Sequence, residues 1–320
     1  MARYTVVGAS GYLGGSIAAH LSEQGHEVVS VYRTQPDDPR NISDTFFMSL
    51  EVDGTDTKFA EKVVDTDPDF VIYCISLDHF KSEKNITQSL AVNVAPLLEL
   101  GREIAQRRSS CTLIFFSTMQ VYGKLEDREV VEETREARPQ NFYALTHYLC
   151  EEGLAMLRFS QGLRATSLRL SNGYGPSAFP SANFSWLALN DFCRSAVRDG
   201  VISLKSDGSA ARDFIFVDDI ARVISGFSQL SDDLAPKYNL ASGYTVSIAN
   251  AAEKVARVCE ERFGLPARVA FPPGVEPNAD AFQETAFRVE ASKLRTTLGF
   301  GPSVELEDGI EKTIQYYKGI

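Results

Sequence analysis

The chain has 320 residues, 44% of them hydrophobic and 23% charged, with a net charge of −11 and a pI near 5.0. This length supports one large domain or two modest ones, and the acidity argues against partners that need a basic face, namely nucleic acid and anionic membranes. The longest apolar run, around Phe70 to Leu77, is far below the roughly 20 residues that span a bilayer, and Met1 to Gly8 is too short and too soon broken by glycine for a secretory signal, so a cytoplasmic protein is expected.

Strand and helix then alternate. Residues 2–7 are rich in strand formers, Gly8 to Gly15 make a turn, and Ile17 to Gln24 read as a helix closed by Gly25. Strands are expected at His26 to Tyr32, Phe46 to Val52, Phe70 to Ile75, Thr112 to Phe116 and Arg164 to Leu170, with helices near Thr57 to Val64, Val92 to Gln106 and from Tyr143 onward. Such alternation predicts an α/β, Rossmann-like, doubly wound parallel sheet with helices on both faces. Beyond Gly173 the pattern loosens. A helix near Trp186 to Arg198, a strand near Ile202 to Leu204, and helices at Ile248 to Phe263 and Glu305 to Tyr317 predict a smaller mixed domain. The expected division is residues 1–172 for the nucleotide-binding domain and 173–320 for the second, with the chain returning to the first within about 212–243. Ser247 and Gly264 read as the start and stop of the long helix between them. The five cysteines form no Cys-x-x-Cys pair and four sit among apolar neighbours, as reduced core thiols would; no two of the four histidines have metal-ligand spacing, so no metal is expected.

The loop Gly8-Ala-Ser10-Gly11-Tyr12-Leu13-Gly14 follows a strand and opens a helix. In that context the first glycine permits the tight turn, the second the approach of a pyrophosphate, and the third close packing of helix on strand. The helix N-terminus adds amide donors and partial positive charge. An ordinary strand-turn-helix with small residues is the competing reading. At the end of the second strand an acidic residue would select the ribose 2′-hydroxyl of NAD, whereas this chain has Val31-Tyr32-Arg33-Thr34. Arg33 suits a 2′-phosphate, which favours NADP(H) while leaving NAD(H) open; it also reads simply as a solvated strand end.

The strand Leu113-Ile-Phe-Phe-Ser117-Thr118 ends on two hydroxyls, and Tyr143 and His147, four apart, share a helix face. Together these resemble the extended short-chain dehydrogenase/reductase family, whose Ser or Thr lies about 25 residues before the Tyr of a Tyr-x-x-x-Lys motif. His147 stands here at the lysine position. The resemblance extends to Asn93 in Val92-Asn93-Val-Ala-Pro, to Arg169-Leu-Ser-Asn172-Gly-Tyr-Gly-Pro176, to Arg212-Asp213-Phe-Ile-Phe-Val-Asp218-Asp219, and to Tyr238-Asn239-Leu-Ala-Ser242-Gly243.

That resemblance implies Thr118, Tyr143 and His147 as the catalytic group. It implies Gly8, Ser10, Gly11, Tyr12, Leu13, Gly14, Arg33, Asp53, Cys74, Ser76, Asn93, Tyr143 and His147 at the cofactor, and Met119, Gln120, Asn172 and Arg212 at a nucleotide-sugar substrate. Asp213 and Asp219 also read as helix-start carboxylates. A free phenol titrates near about 10 and needs help to act near neutrality. A lysine gives that help by its charge; an imidazole is mostly neutral at pH 7 and gives less unless a carboxylate keeps it protonated. His147 therefore has three readings: a working substitute, the mark of a lapsed enzyme that still binds cofactor, or an ordinary core histidine.

Relatives that dehydrate their sugar carry an Asp-Glu pair after the Thr, and Met119-Gln120 offers no such acid or base. The expected activity is NADPH-dependent reduction of a keto group, at C4, of a nucleotide-linked keto-deoxy sugar. The alternatives are an epimerase with retained cofactor and a non-catalytic NADP-binding sensor or scaffold. A homodimer through the helices near Val92 to Gln106 and Tyr143 to Phe159 is implied as well.

Overall fold

The computed structural model describes residues 1–34, 47–51, 53–107, 110–179, 182, 184, 186–230, 234–276 and 286–319. The expected ends of the third strand, Phe46 and Val52, lie outside them.

The first part of the chain runs β1 (Arg3–Val7), α1 (Tyr12–Glu23), β2 (Glu27–Tyr32), β3 (Phe47–Glu51), α2 (Phe59–Val64) and β4 (Phe70–Tyr73). Then come α3 (His79–Lys84), α4 (Ile86–Ser89), a π-helical turn at Leu90–Val94, α5 (Ala95–Gln106), β5 (Thr112–Thr118), a 3₁₀ turn at Met119–Tyr122 and β6 (Val130–Val131). α6 (Phe142–Gln161), β7 (Ala165–Leu170), β8 (Asn172–Tyr174), α7 (Ala188–Asp199), β9 (Val201–Ser203), β10 (Ala211–Phe216) and α8 (Val217–Gly226) follow. The last part holds β11 (Lys237–Leu240), β12 (Thr245–Ser247), α9 (Ile248–Phe263), β13 (Arg268–Ala270), β14 (Arg288–Val289), α10 (Ser292–Leu298) and α11 (Leu306–Lys318).

Seven strands form one parallel sheet in the order β11-β7-β5-β4-β1-β2-β3. Its strands are apolar on both faces because both are covered. Val7, Val71, Tyr73, Leu113 and Phe115 point to one side, with Leu97, Leu100, Leu154 and Leu157 of α5 and α6. Tyr4, Val6, Ile72, Ile114 and Phe116 alternate to the other, under Ile17, Leu21, Ile220 and Ile224 of α1 and α8. The second lobe has a separate core, built from Leu189, Phe192, Ile202, Val255, Val258, Ile310 and Ile314 on α7, β9, α9 and α11. Ser247 caps α9, accepting from the Asn250 N–H at 3.1 Å, and Gly264 ends it at φ +64°, as read from the sequence.

Strand order reverses beside β1, which has β2 on one side and β4 on the other. All seven strands are parallel, so their C-terminal ends share one edge, the edge where ligands of open α/β sheets bind. Asp53, Arg33, Gly8, and Cys74 with Ser76 follow β3, β2, β1 and β4 along that edge in this order, and Thr118 ends β5 beside them. Asn172 comes after β7, at the start of β8.

Candidate active site

At the β1 end the backbone sets the geometry. Gly8 sits at φ +87°, and a Cβ there would meet the Cys74 carbonyl carbon at 3.2 Å. At Gly14 a Cβ would lie 2.4 Å from the Gly8 carbonyl oxygen, so only glycine lets α1 pack this closely on the loop. Gly11 is the extended N-cap of α1 and offers no side-chain cap. The first-turn amides of α1 are thus left without a capping side chain, the donor set an anion requires. Ser10 and Leu13 are half-buried beside them. The side chain of Tyr12 instead leaves the loop, donating to the Gly175 carbonyl at 3.1 Å.

Farther along, Arg33 is exposed, and its charge is among the influences that lower the Asp53 pKa. The larger cause is Thr55, whose N–H and hydroxyl donate to the Asp53 carboxylate at 2.9 and 2.8 Å. Cys74 is half-buried at the groove, Ser76 is exposed, and the loop between β4 and α3 is pinned by Asn93, which accepts from the Leu77 N–H at 2.7 Å. Asn93 lies in the π-helical turn and donates to the Thr146 hydroxyl at 3.0 Å, which fastens the loop to α6.

α6 starts cleanly because Asn141 caps it, accepting from the Ala144 N–H at 2.7 Å, and Glu83 accepts the Phe142 N–H at 2.6 Å. Asn141 also donates to the Gln120 side-chain carbonyl at 3.2 Å, placing Gln120 at the entrance of the helix. Tyr143, His147 and Glu151 follow at intervals of four along one stripe. The rings of Tyr143 and His147 lie 4.3 Å apart, and His147 stacks on Phe115 at 5.7 Å. The Thr118 side chain lies close enough to the Tyr143 phenol to oppose the rise in its pKa. The structure therefore brings Thr118, Tyr143 and His147 together.

The imidazole is buried, and its Nδ1 lies 2.9 Å from the Tyr143 carbonyl. A carbonyl only accepts, so Nδ1 carries the hydrogen and Nε2 the lone pair. Burial, opposed by that bond and by Glu151, pushes the His147 pKa down to about 4. Burial also pushes the Tyr143 phenol up to about 12, with Thr118 opposing and Asp78 reinforcing the shift. Near neutrality the pair is a phenol backed by an uncharged imidazole.

The carboxylate that could have charged His147 is Glu151, and it is already engaged. Arg169, 0% exposed, donates to Glu151 from Nε at 3.0 Å and from Nη2 at 2.6 Å, and the Ser117 hydroxyl adds a bond at 2.5 Å. Arg169 also lies 4.6 Å over the Tyr122 ring. Ser117, two residues on from Phe115, shares the face of β5 that meets α6. The sequence did hold a signal for this pair: an arginine inside the apolar strand Ala165 to Leu170 needs a buried anion, and Glu151 lies on the same helix stripe as Tyr143.

Just past β5, Met119 is half-buried with its sulfur 4.0 Å from the Asn172 amide nitrogen. Asn172 donates to the Asp213 carbonyl at 2.8 Å, which ties β8 to β10. Arg212 is exposed, and partial desolvation of its guanidinium lowers its pKa. Asp213 is not a helix-start residue. It lies within β10, and its buried carboxylate accepts from the Ser242 N–H and hydroxyl, both at 3.0 Å, and from the Gly243 N–H at 2.8 Å, bracing that turn. Asp219 does lie in the first turn of α8, where it accepts from the Ser303 and Val304 amides at 2.9 and 2.8 Å.

Comparison with known proteins places this arrangement. The model of the "NAD dependent epimerase/dehydratase family" matches residues 4–241. Among curated relatives, a UDP-glucose 4-epimerase of Mycolicibacterium smegmatis is 23% identical, over 99% of this chain and 98% of its own. A dTDP-glucose 4,6-dehydratase of Neisseria gonorrhoeae is also 23% identical, over 98% of this chain and 94% of its own. Among solved structures, the UDP-glucose 4-epimerase of Thermotoga maritima with UDP-glucose superposes with a TM-score of 0.82 at 21% identity, covering 99% of each chain. The UDP-glucuronic acid 4-epimerase of Bacillus cereus with UDP-glucuronic acid and NAD gives 0.78 at 22%, again over 99% of each. At these identities the superpositions show a shared fold.

Proposed function

This chain belongs to the NAD dependent epimerase/dehydratase family, and within it we propose an NADPH-dependent ketoreductase acting on C4 of a nucleotide-linked keto-deoxy sugar. The observation that carries this reading is the burial of the central pair and the bonds that surround it. Burial favours Tyr143 as a phenol, and the buried His147, with Nδ1 bonded to the Tyr143 carbonyl, is uncharged near neutrality and so does little to stabilise a Tyr143 phenolate. A phenol is ready to give a proton to a developing alkoxide. An epimerase must first remove one from a substrate hydroxyl, which calls for the phenolate.

The Gly8–Gly14 loop fits the pyrophosphate of a nicotinamide dinucleotide, which when bound in its reduced form supplies the hydride. Arg33, exposed just past β2, would meet a 2′-phosphate and so supports NADP(H), and His147 would offer Nε2 as an acceptor for a ribose hydroxyl where a lysine would donate. As the keto carbon gains hydride, Tyr143 gives its proton to the oxygen, Thr118 orients the phenol, and solvent restores the proton. Arg212 and Asn172 hold the diphosphate, and Met119 and Gln120 line the sugar, without a carboxylate for dehydration.

A second reading, an epimerase with tightly held NAD(P), is favoured by the UDP-glucose 4-epimerases among the relatives and neighbours. Incubation with NADPH and keto-deoxy sugar nucleotides separates the two. Stoichiometric loss of the reduced-nicotinamide absorbance supports the reductase; interconversion of sugars without net loss supports the epimerase. Homodimerisation is part of the same proposal. Leu149, Met156 and Phe159 leave an apolar stripe on α6, with Phe159 96% exposed, and Leu90 is exposed on the neighbouring π-helical turn.

A further inference from the structure

Tyr12 is the first residue of the cofactor helix, yet its side chain belongs to the other lobe. Its hydroxyl donates to the Gly175 carbonyl at 3.1 Å, and its ring stacks on Phe184 at 5.2 Å, against the second core. Gly175 is held from the other side as well. Asn190 of α7, fully buried, donates to the same carbonyl at 2.7 Å and accepts from the Gly175 N–H at 3.2 Å. With φ at +131° and the Phe216 and Val217 side chains within 3 Å of where a Cβ would stand, only glycine fits that position. Four residues on, the Phe179 ring fills the space beside Gly15 of α1.

Gly175 directly follows β8, which begins at Asn172 and pairs with β10 in the register Phe214 opposite Asn172. Arg212 lies two residues earlier on β10. A rigid path of one side-chain bond and two paired strands thus joins the pyrophosphate loop to Asn172 and Arg212.

We propose that Tyr12 is a positioning residue that couples occupancy of the Gly8–Gly14 loop to the β8–β10 pair through the Tyr12–Gly175–Asn190 latch, so that dinucleotide binding pre-orders the substrate cleft. A bound pyrophosphate fixes the N-terminus of α1 and with it the Tyr12 ring. The fixed hydroxyl then removes freedom from Gly175, and a second ligand meets strands that are already ordered. The role of the cleft as a nucleotide-diphosphate site rests on the ketoreductase reading; the latch itself does not.

The test is hydrogen exchange on the full-length protein and on Tyr12→Phe, with and without saturating NADPH or NADH, whichever binds more tightly. Wild type should gain protection at both 8–15 and 172–179. Tyr12→Phe should keep the first and lose the second. Equal protection of 172–179 in both proteins, or none in wild type, overturns the latch. A second arm measures UDP affinity with and without the dinucleotide. The expected enhancement in wild type is about fivefold, at the low end of ordinary couplings, falling toward unity in Tyr12→Phe. If wild type transmits the protection yet does not bind UDP, the nucleotide-sugar reading fails and the latch stands.

Discussion

At the Gly8–Gly14 loop the ligand-facing groups are backbone amides, held by glycines with no room for a Cβ; at Tyr143 and His147 they are side chains whose protonation is decided by what is buried behind them. The first arrangement works through shape and needs no titrating group. The second works through electrostatics, where burial sets the charge on His147 and the proton on Tyr143. The contrast teaches that one sheet edge can set shape through the backbone at one point and protonation through what is buried behind the side chains at another.

The largest effect should come from removing the proton donor. Tyr143→Phe is expected to lower kcat for keto reduction by about 10²- to 10⁴-fold, the usual weight of general acid catalysis, far more than it weakens the dinucleotide in a binding titration. Loss of both together would mean that the centre and the loop are not separable. Next comes the ion pair behind the centre. Arg169→Met leaves Glu151 buried without its partner and should cost about 3–5 kcal/mol in denaturant unfolding; a cost below about 1 kcal/mol would show that the pair is not what fixes α6 against β5 and β7.

At the other end, Arg33→Ala should weaken NADPH by roughly tenfold to a hundredfold, the range for charge-assisted bonds to a phosphate, and leave NADH nearly unchanged. Equal weakening of both would break the assignment of Arg33 to a 2′-phosphate. Gly14→Ala places a methyl 2.4 Å from the Gly8 oxygen. It should destabilise by about 1–3 kcal/mol through overpacking and weaken either dinucleotide, with the pH dependence of the remaining activity unmoved.

Much of the fold was legible because the main strands are apolar runs set between helices of ordinary period, and the glycine loop was legible because its meaning lies in the backbone. The region between β4 and α5 was not. Apart from the buried Ser82 and the exposed Ile86, Lys81 to Gln88 is polar and exposed, with no apolar stripe to mark α3 and α4, and the π-helical turn depends on side-chain bonds of Asn93 that only the folded chain supplies. β6, β8, β12, β13 and β14 are two or three residues long, too short for any period. At the site, Thr118, Tyr143 and His147 were singled out by their resemblance to the family's motif, whereas the charge state of His147 was not legible. It depends first on burial, with the Tyr143 carbonyl and Glu151 opposing, and Glu151 is itself held by Arg169, 18 residues away, and by Ser117, 34 residues away, all of it tertiary fact. Asp213 was misread for the same reason, since its partners lie in a turn about 30 residues on.

Because burial lowers the His147 pKa from 6.5 to about 4, the unfolded chain binds the extra proton between those values. This histidine's contribution to stability is complete above about pH 6.5 and is lost as pH falls through about 4, amounting to about 3 kcal/mol. The direct test is an NMR titration of the protein with ¹⁵N-labelled histidine, assigned through His147→Gln. The account predicts that His147 stays in the neutral form with hydrogen on Nδ1 from pH 8 down to about 5. A titration centred near 6.5 or above, or hydrogen on Nε2, would contradict it and return Tyr143 to the role of a base.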